Sequence, residues 1–546
     1  MSYQPKNKIR IVTAASLFDG HDASINIMRR VMQANGTEVI HLGHDRSVQE
    51  VVDCAIQEDA NAIAMTSYQG GHVEYLKYMY DLLREKGAGH IKIFAGGGGV
   101  ILPEEIKELE DYGVDKIYSP DDGRAMGLEG MIIDLMSKSD FPTGNQLNGE
   151  IGHITDKNPK DVGRLISAAE NYSELPETQA MLQKVAELAK ESKTPVLGIT
   201  GTGGSGKSSS VDEIVRRFLM DFPEKTIGII SVDPSKRKTG GALLGDRIRM
   251  NAIRNDRVYM RSMATRQSNL AVSKYIADAV NILKAAKFDL IVLETSGIGQ
   301  SDTQITDYGD VNMYIMTPEY GAATQLEKID MLDFADIVVV NKFDKRGAAD
   351  ALRDVKKQYQ RNHKFFDQNI DDMPVYGTIA SQFNDPGTNT MYRALMDLIA
   401  EKTETNLKSE FKASDELSEK IFIIPPSRTR YLAEIAENNR GYDKRSKEQA
   451  DVAQRLFGIH KTIDTLQRSN IEDKDRLIKE LQEVYQKVSL DIDPKNLELL
   501  KSWDAKKANY QNEFFEFKVR DKVLKIKTHT ESLSHSQIPK VAVPQF

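Results

Sequence analysis

The chain has 546 residues, of which 40% are hydrophobic and 28% charged, and its formal net charge is −8. One hydrophobic core rarely serves so long a chain, so several domains are expected, and the acidic balance argues against nucleic acid as a partner. Cys54 is the single cysteine and no stretch is apolar enough to span a bilayer, which excludes a disulfide scaffold and favours a cytoplasmic protein without membrane contact.

Residues 8–138 alternate short apolar runs with amphipathic segments. The apolar runs are IRIVTAA, TEVIHL, AIAMTS, IKIFAG and DKIYS. Five strands with helices between them predict a flavodoxin-like, doubly wound parallel sheet, which we assign to residues 1–140. Ligands of such sheets bind beyond the carboxyl ends of the strands, where this sequence has the loops FDGHDAS, YQGGH, GGGG and PDDG. Considered alone, the histidine of the first loop is better explained as part of a polar turn than as a ligand.

The rest of the chain divides into three predicted regions. Residues 141–192 form a helical connector, and residues 193–405 form a second α/β domain with the strand-like runs PVLGIT, IGIISVD, LIVLETSG, VNMYIMT, IVVVNKFD and VYGTIAS. Residues 406–546 are charged and helical, apart from the tail SHSQIPKVAVPQF, in which two prolines oppose a helix. The apolar face of RLIKELQEVYQKVSL predicts packing of one helix on another.

Two residue types that often carry chemistry are predicted to be structural here. Cys54 lies in VQEVVDCAIQ, a helical pattern in which a small buried thiol is a better explanation than a nucleophile. His41 and His44 lie near a strand end without a carboxylate at a fixed spacing, and His72 follows two glycines in a predicted turn. We expect these three histidines to be structural or to face solvent.

The clearest chemical motif is GTGGSGKSS, which follows the strand PVLGIT and precedes the helical pattern SSVDEIVRRFL. It satisfies the P-loop pattern G-x-x-x-x-G-K-[ST] in its required strand–loop–helix context. The glycines let backbone N–H groups surround phosphate oxygens, Lys207 neutralises the β- and γ-phosphates, and Ser208 offers its hydroxyl to Mg²⁺. The predicted nucleotide-binding residues here are Gly201, Gly204, Ser205, Gly206, Lys207, Ser208 and Ser209.

The base of the nucleotide is indicated by VVVNKFDKRG, in which Asn341, Lys342 and Asp344 form an N-K-x-D set directly after an apolar strand. A carboxylate in that place accepts hydrogen bonds from N1–H and the 2-amino group of guanine, whereas adenine has no such pair of donors. The motif is weak alone, but downstream of a P-loop it predicts GTP. A kinase that uses the P-loop on a small substrate is the weaker alternative.

Acidic residues at strand ends predict the magnesium ligands. Asp233 ends one apolar run and Glu294 ends another, and hard oxygen ligands at such positions suit Mg²⁺. The segment TGGALLGDRIRM adds Asp246 and Arg249, which we interpret as part of a mobile switch. Each of these charges, taken singly, is also explained as a helix cap or a solvated side chain.

Together, the segments SVDPS, TGGALLGDRIRM, LETSGIGQSD and ADIVVVNKFD resemble the G-protein chaperones of cobalamin-dependent acyl-CoA mutases. The resemblance implies that Lys207, Arg249 and Glu294 act in GTP hydrolysis and that Arg249 touches the nucleotide. It also implies a magnesium site made by Ser208, Asp233, Asp246, Glu294 and Thr295. The sequence KRK after DPS departs from the smaller polar residues of that family, which leaves the details of the switch open.

The first domain gains a context from this resemblance, because DGHDAS, TSYQGGH and GGGGVILP resemble the D-x-H-x-x-G, S-x-L and G-G signatures of base-off cobalamin-binding domains. In that family a histidine replaces the corrinoid's own base beneath cobalt, and an aspartate binds the histidine. By this resemblance His21 is the cobalt ligand and Asp19 its hydrogen-bond partner. The nucleotide tail of the cofactor would run past Thr66, Ser67, Gly98 and Gly99.

Three positions depart from these signatures. Ser24 stands in place of glycine, Tyr68 in place of leucine, and Ala15 in place of the lysine of many mutases. The departures leave the pair of Asp19 and His21 intact, and we expect them to alter contacts with the cofactor tail and the tuning of the axial ligand.

The order of the parts resembles the amino-terminal half of the fused isobutyryl-CoA mutase family, in which an acyl-CoA-binding TIM barrel follows a helical linker. The resemblance implies an adenosylcobalamin-binding, GTP-hydrolysing half of an acyl-CoA carbon-skeleton mutase, whose GTPase gates loading and integrity of the cofactor. It also implies a barrel domain or subunit, a homodimer in the full enzyme and an adenosyltransferase as cofactor donor. No acyl-CoA isomerisation is expected without the barrel. The alternative is a non-catalytic corrinoid carrier or delivery GTPase that acts on a separate mutase subunit.

Overall fold

The computed structural model describes residues 3–236, 238–266, 275–295, 302–321, 323–412, 417–419, 430–519 and 522–542. The chain divides into two compact units, Met1–Ile421 and Phe422–Phe546. The first unit contains two large parallel sheets, and the second contains helices with short hairpins. Among the described residues, no helix has the length and apolar character needed to cross a bilayer.

The first sheet is built from strands and helices that alternate along the chain. Its elements are β1 (Arg10–Ser16), α1 (Ala23–Ala34), β2 (Glu38–Arg46), α2 (Val48–Gln57), β3 (Ala62–Thr66), α3 (His72–Glu85), β4 (Lys92–Gly96), α4 (Pro103–Tyr112), β5 (Lys116–Tyr118) and α5 (Pro120–Lys138, interrupted at Gly127). The strands lie in the order β5-β4-β3-β1-β2 and pair in parallel. All residues of β1 and β3 are buried, because apolar cores form on both faces of the sheet. The predicted doubly wound sheet is confirmed.

The second sheet follows two helices, α6 (Pro159–Tyr172) and α7 (Pro176–Lys190). The next elements are β6 (Val196–Gly201), α8 (Lys207–Asp221), β7 (Ile227–Asp233), β8 (Ala242–Leu244), β9 (Val258–Ala264), α9 (Ile276–Ala285), β10 (Leu290–Glu294), β11 (Val311–Met316), α10 (Ala323–Leu326), β12 (Ile337–Asn341), α11 (Ala348–Asn362), β13 (Val375–Thr378) and α12 (Pro386–Thr403). Seven strands pair in the order β13-β12-β11-β6-β10-β7-β9. Strand β9 was not predicted, because its buried run VYMRSMA is interrupted by Arg261.

Strand β8 joins the first sheet rather than the second. It pairs in parallel with β2, so that Glu38 lies opposite Ala242 and Ile40 lies opposite Leu244. The sequence of this segment predicted a mobile switch within the second α/β domain and no strand. A run of three residues is too short to signal a strand, and its pairing with a distant strand leaves no local pattern in the sequence. A loop that leaves the second sheet therefore forms the edge of the first.

The second unit is mainly helical. Its helices are α13 (Tyr431–Gln467), α14 (Lys474–Val488), α15 (Pro494–Lys501) and α16 (Trp503–Gln511). On α14, Tyr485 and Val488 pack against a small core of Val452, Leu456 and Ile492, in agreement with the predicted packing between helices. Two hairpins follow, β14 (Phe514–Val519) with β15 (Lys522–Lys527) and β16 (His529–Glu531) with β17 (Gln537–Pro539). The sequence of this region predicted only helices and an extended tail, so the two hairpins correct that prediction.

Candidate functional site

His21 and Asp19 lie in the loop between β1 and α1, at the carboxyl edge of the first sheet. Asp19 is fully buried, whereas the His21 side chain is 65% exposed. His21 Nδ1 lies 2.8 Å from Asp19 Oδ1, and the His21 backbone N–H donates to the same oxygen at 2.9 Å. Because a carboxylate accepts hydrogen bonds, the neutral ring carries its proton on Nδ1 and keeps the lone pair of Nε2 for a ligand. The histidine is thus arranged to bind a metal through Nε2.

Asp19 is also held by the loop that follows β3. The backbone N–H of Tyr68 donates to Asp19 Oδ2 at 2.6 Å. Burial by itself would raise the pKa of Asp19, but the hydrogen bonds from Tyr68 and His21 outweigh it and lower the pKa below the ordinary value of 3.8. Ala15, where many mutases have lysine, is fully buried. The backbone of Tyr68 therefore fixes the second oxygen of the aspartate without a lysine.

The remaining residues predicted to bind the cofactor lie at the ends of β3 and β4, beside the loop that carries His21. Thr66 and Ser67 are buried at the end of β3. Within the described residues, the buried Thr66 Oγ1 has no hydrogen-bond partner, whereas Ser67 Oγ accepts from Ser16 Oγ at 2.9 Å. Gly98 lies against the ring of Tyr68, and the space around Gly99 is open. The loops after β1, β3 and β4 therefore meet at one edge, as the parallel sheet requires.

Gly97, which the sequence analysis did not single out, makes the closest backbone approach in this region. A Cβ at this position would lie 2.1 Å from the carbonyl oxygen of Ser67 and 2.8 Å from a side-chain carbon of Ile101. Because the backbone of Ser67 could move away only by displacing its loop, only glycine fits at position 97. The run GGGG signals a tight approach, but the structure is needed to assign the constraint to Gly97 rather than Gly99.

A cavity of about 210 Å³ opens beside these loops, between α1, α5 and the ends of β3 and β4. Apolar side chains form most of its walls, among them Ile25, Met28, Phe94, Met131 and Leu135. Such a cavity suits a flat and largely apolar ring. Three features therefore fit a corrinoid whose own base has left the cobalt and lies in the protein. They are the exposed His21 ring held by the buried Asp19, the close backbone approach at Gly97, and this apolar cavity.

The P-loop lies between β6 and α8, at the carboxyl edge of the second sheet. Lys207 is 9% exposed, and its Nζ donates to the carbonyl oxygens of Gly201 at 3.0 Å and Thr202 at 3.3 Å. The lysine is thus folded over the loop that would surround the phosphates, with Ser208 and Ser209 following it in the first turn of α8. The predicted strand–loop–helix context of the motif is present.

Two acidic side chains contact the P-loop serine, and a third, Asp233, interacts electrostatically with one of them. Ser208 Oγ lies 3.0 Å from Asp246 Oδ1 and 2.9 Å from Glu294 Oε1. Burial, and then the charge of Asp246, raise the pKa of Glu294 well above its ordinary value, and its buried Oε2 has no hydrogen-bond partner within the described residues. Burial and the same neighbour raise the pKa of Asp233 to about 7. Carboxylates grouped beside a hydroxyl fit Mg²⁺, whose charge would offset their mutual repulsion.

Two further predicted residues lie at the margin of this cluster. The buried Thr295 donates its hydroxyl to Thr200 Oγ1 at 2.8 Å instead of turning it to Ser208. Arg249 is 66% exposed, with its Nη1 lying 3.8 Å from Asp246 Oδ1. No group of three or more His, Cys, Asp or Glu side chains in the described part of the chain is arranged to hold a metal alone. Mg²⁺ takes several of its ligands from phosphates and water, so a partial set of protein ligands is sufficient.

The N-K-x-D motif meets the P-loop through Asn341, at the end of β12. Asn341 Nδ2 donates to the carbonyl oxygen of Ser205 at 2.7 Å. Gly206 has a φ of +95°, and a Cβ there would lie 2.4 Å from Asn341 Nδ2, so both its conformation and this contact require glycine. Lys342 is half-buried and Asp344 exposed in the turn that follows. The structure therefore joins the two predicted parts of the nucleotide site.

The residues predicted to be structural behave accordingly. Cys54 is buried in α2, and burial raises the pKa of its thiol to about 12. His72 Nε2 lies 3.0 Å from Glu105 Oε2. His41 is buried in β2, whereas His44 is exposed. None of these four predictions needs correction.

Comparisons with known proteins match both α/β domains of the chain. Residues 9–126 match the model of the B12 binding domain family, and residues 162–421 match that of the Methylmalonyl Co-A mutase-associated GTPase MeaB family. The whole chain is 53% identical to a fused isobutyryl-CoA mutase of Geobacillus kaustophilus, and 99% of it is 47% identical to one of Cupriavidus metallidurans. The aligned parts cover 50% and 49% of those proteins, so the chain spans about half the length of these relatives. Gly299, Gln300 and Ser301, which carry part of the resemblance, lie outside the described residues.

Proposed function

We propose that this chain, which belongs to the fused isobutyryl-CoA mutase family and carries its B12-binding and GTPase domains, uses GTP hydrolysis to gate the loading and integrity of adenosylcobalamin. In the complete enzyme the cofactor would serve an acyl-CoA carbon-skeleton rearrangement of the isobutyryl-CoA to n-butyryl-CoA type. The domains we assign are residues 1–140 for cobalamin, 141–192 for a connector, 193–405 for GTP and 406–546 for a helical linker.

The observation that carries this proposal is the position of residues 238–250, which we call the bridging segment. It contains Asp246 and Arg249 of the nucleotide site, and its strand β8 is also the edge strand of the cobalamin sheet. In the same segment Ile248 packs against β2, where a Cβ at Gly43 would lie 2.9 Å from Ile248 Cδ1. A movement of Asp246 on binding or losing Mg²⁺ and phosphate would therefore act directly on β2.

Strand β2 leads in turn to the proposed axial ligand. Asp45, near the end of β2, accepts a hydrogen bond from the backbone N–H of Phe18 at 2.7 Å. Phe18 immediately precedes Asp19, which holds the His21 ring. The bridging segment thus pairs with the start of β2, and the loop that carries His21 is hydrogen-bonded to its end through Phe18, which would give the GTPase a short physical route to the cofactor site.

The residues of the nucleotide site have distinct roles in GTP hydrolysis. Lys207 would leave its loop carbonyls to neutralise the β- and γ-phosphates, and Asp344 would bind the guanine base. Arg249, which is exposed beside Asp246, would stabilise charge on the transferred phosphoryl group. The site fits Mg²⁺, which would be held by Ser208, Asp233, Asp246 and Glu294, with Thr295 near the phosphates.

The residues of the cobalamin site would bind and orient the cofactor. When bound, adenosylcobalamin supplies the hydrogen-abstracting radical chemistry of the rearrangement. His21 would ligate cobalt through Nε2, while Asp19 keeps the proton on Nδ1 and fixes the plane of the ring. The apolar cavity would take the base of the nucleotide tail, with Thr66 and Ser67 at its edge and Gly98 and Gly99 beside its path.

The partners follow from the family and from the length of the relatives. We propose an acyl-CoA-binding TIM barrel as the substrate-binding partner, in the same polypeptide or as a separate subunit, and a homodimer in the full enzyme. An adenosyltransferase would supply the cofactor, and the protein would act in the cytoplasm without nucleic acid or membrane. Substrate selection would belong to the barrel, so this chain alone should not isomerise an acyl-CoA.

The test is an absorbance titration with adenosylcobalamin on the wild type, His21→Ala and His44→Ala. His44 is an exposed histidine on the adjoining strand and serves as the matched control. We expect the wild type and His44→Ala to bind the cofactor in the base-off, histidine-ligated form, and His21→Ala to bind at least tenfold more weakly or without the histidine-ligated spectrum. Identical bound spectra for all three proteins would contradict the assignment of His21.

The gating role has its own measurement. GDP and a non-hydrolysable GTP analogue should give different affinities for adenosylcobalamin. Because coupling is reciprocal, the cofactor should change the ratio of GTP-analogue affinity to GDP affinity by that same factor. Equal cofactor affinities in both nucleotide states would contradict gating. Isomerisation of isobutyryl-CoA by this chain without an added barrel would contradict the division of labour.

A further inference from the structure

Two residues that depart from the signatures of base-off cobalamin domains contact each other. Ser24 lies in the first turn of α1, and Tyr68 lies in the loop after β3. Ser24 Oγ is 2.8 Å from Tyr68 Oη, a distance at which either hydroxyl can donate. Glycine and leucine, the residues of the signature, have no hydroxyl groups and cannot form this bond. The two substitutions therefore form one structural feature instead of two separate changes.

The bond anchors a tyrosine that lies between the axial histidine and the cavity. The centroids of the Tyr68 and His21 rings are 5.7 Å apart, with the ring planes inclined at 51°. On its other side the ring lies against Gly98, where a Cβ would be 3.2 Å from Tyr68 Cε1. Tyr68 also lines the apolar cavity. Its ring is therefore held among the loops that follow β1, β3 and β4.

His21 needs such a neighbour because its own restraint is incomplete. A hydrogen bond from Nδ1 to Asp19 fixes the tautomer, but it allows the imidazole to swing about that bond, and the side chain is 65% exposed. A ring packed beside the imidazole limits that swing, provided that the ring itself cannot rotate away. The Ser24 hydroxyl supplies this restraint at the far end of Tyr68, and the Tyr68 backbone N–H restrains the near end through Asp19.

We propose that Ser24 and Tyr68 act as a coupled pair of positioning residues, in which the hydrogen-bonded tyrosine ring sets the orientation of the His21 imidazole toward cobalt. The proposal rests on the proposed function, because it presumes that His21 is the axial ligand. It goes further by assigning the orientation of the His21 imidazole to Ser24 and Tyr68, the two residues that differ from the signature's glycine and leucine.

The test is a double-mutant cycle with Ser24→Ala and Tyr68→Phe, each of which removes one hydroxyl and keeps the shape of the side chain. Tyr118→Phe is the matched control, because Tyr118 lines the same cavity but donates to Asp134 and stacks on Phe94, away from His21. The readouts are the affinity for adenosylcobalamin and the nitrogen hyperfine splitting from His21 in the electron paramagnetic resonance spectrum of bound cob(II)alamin.

Each single variant of the pair should bind about three- to tenfold more weakly, the size expected for one lost hydrogen bond, and should show a broadened or altered nitrogen splitting. The double variant should be no worse than either single one, because both remove the same bond. Tyr118→Phe should leave the splitting as in the wild type. Additive losses in the double variant, or an unchanged splitting accompanied only by a lower melting temperature, would overturn the proposal.

The failure of this inference can be told apart from failure of the proposed function. If the wild type shows no nitrogen splitting that is lost in His21→Ala, the axial-ligand assignment itself is wrong. If that splitting is present and depends on His21, but is the same in Ser24→Ala and Tyr68→Phe, only the positioning role is wrong.

Discussion

Arg247 and Glu58 form a buried ion pair between the bridging segment and the end of α2, with Arg247 Nε 2.8 Å from Glu58 Oε1 and the side chains 4% and 0% exposed. Glu58 Oε2 also lies 2.9 Å from Nη1 of Arg10, in β1. The same network continues through Glu38, Glu170, Arg261 and Arg266. Burial would disfavour each charge, but the surrounding arginines lower the pKa of Glu38 and keep it ionised. Charges contributed by both sheets are therefore paired in one buried network of four arginines and three glutamates.

Glu58→Gln should destabilise the first unit strongly, because it keeps the shape but leaves Arg247 and Arg10 without their shared carboxylate. Breaking a buried pair by changing one partner costs about 3–5 kcal/mol. Asp121→Asn is the control, since Asp121 and Arg124 form a pair whose side chains are 85% and 78% exposed, and its loss should cost less than about 1 kcal/mol. Urea denaturation of both variants measures the difference, and equal midpoints would show that the network contributes nothing to stability.

Most of the sheet architecture could be predicted from sequence, and the exceptions share a cause. Each apolar run of the first domain became a strand. In β1 and β3 every residue is buried, so a local pattern was sufficient to predict them. Strand β8 and the ion pair of Arg247 with Glu58 depend on contacts between segments far apart in the chain, and no local pattern encodes such contacts. A buried charge such as Arg261 interrupts the apolar run by which a buried strand is recognised, and β9 was missed for this reason.

The candidate site was predictable to a similar extent. The P-loop was predicted from its own short and specific spacing, whereas the roles of Asp19 and His21 were implied only by the resemblance to base-off cobalamin domains and stay predictions. The contact between Ser24 and Tyr68 could not be predicted, since each residue was visible only as a departure at its own position. The role of Gly97 was hidden within a run of four equal residues, where only the path of the backbone distinguishes one glycine from the next.

Gly97→Ala should disrupt the cobalamin site and lower stability, whereas Gly99→Ala should leave the melting temperature nearly unchanged. A Cβ at Gly97 would lie 2.1 Å from the carbonyl oxygen of Ser67, and nothing lies within 4 Å of one at Gly99. Overpacking against backbone costs about 1–3 kcal/mol and displaces the loop after β3, which also holds Asp19. The melting temperature and the affinity for adenosylcobalamin should both fall for Gly97→Ala. Similar values for the two variants would show that the loop adapts freely.

His41 should make the first unit less stable as the pH falls from neutrality. Burial, assisted by the charge of Arg29, lowers the pKa of His41 from 6.5 to about 4. The unfolded chain then binds a proton at a pH where the folded chain does not, so the stability present above pH 6.5 is progressively lost as the pH falls through about 4. The full loss is up to about 3 kcal/mol. His41→Asn should flatten the stability profile over this range, while the exposed control His44→Asn should retain the slope of the wild type; parallel profiles for all three would contradict this origin.

Asp344→Asn should change the base that the GTPase accepts. The carboxylate of Asp344 can accept from N1–H and the 2-amino group of guanine, whereas an amide turns one acceptor into a donor and leaves the 2-amino group facing another N–H. Loss of a charge-assisted pair of hydrogen bonds should weaken GTP binding by at least about 100-fold. Xanthosine triphosphate, which has an oxygen at position 2, should then bind better than GTP. Asp350→Asn, at an exposed aspartate on α11, serves as the control and should leave nucleotide affinity unchanged. Competition binding with GTP, ATP and xanthosine triphosphate measures the switch, and a variant that still prefers GTP would show that the base is recognised elsewhere.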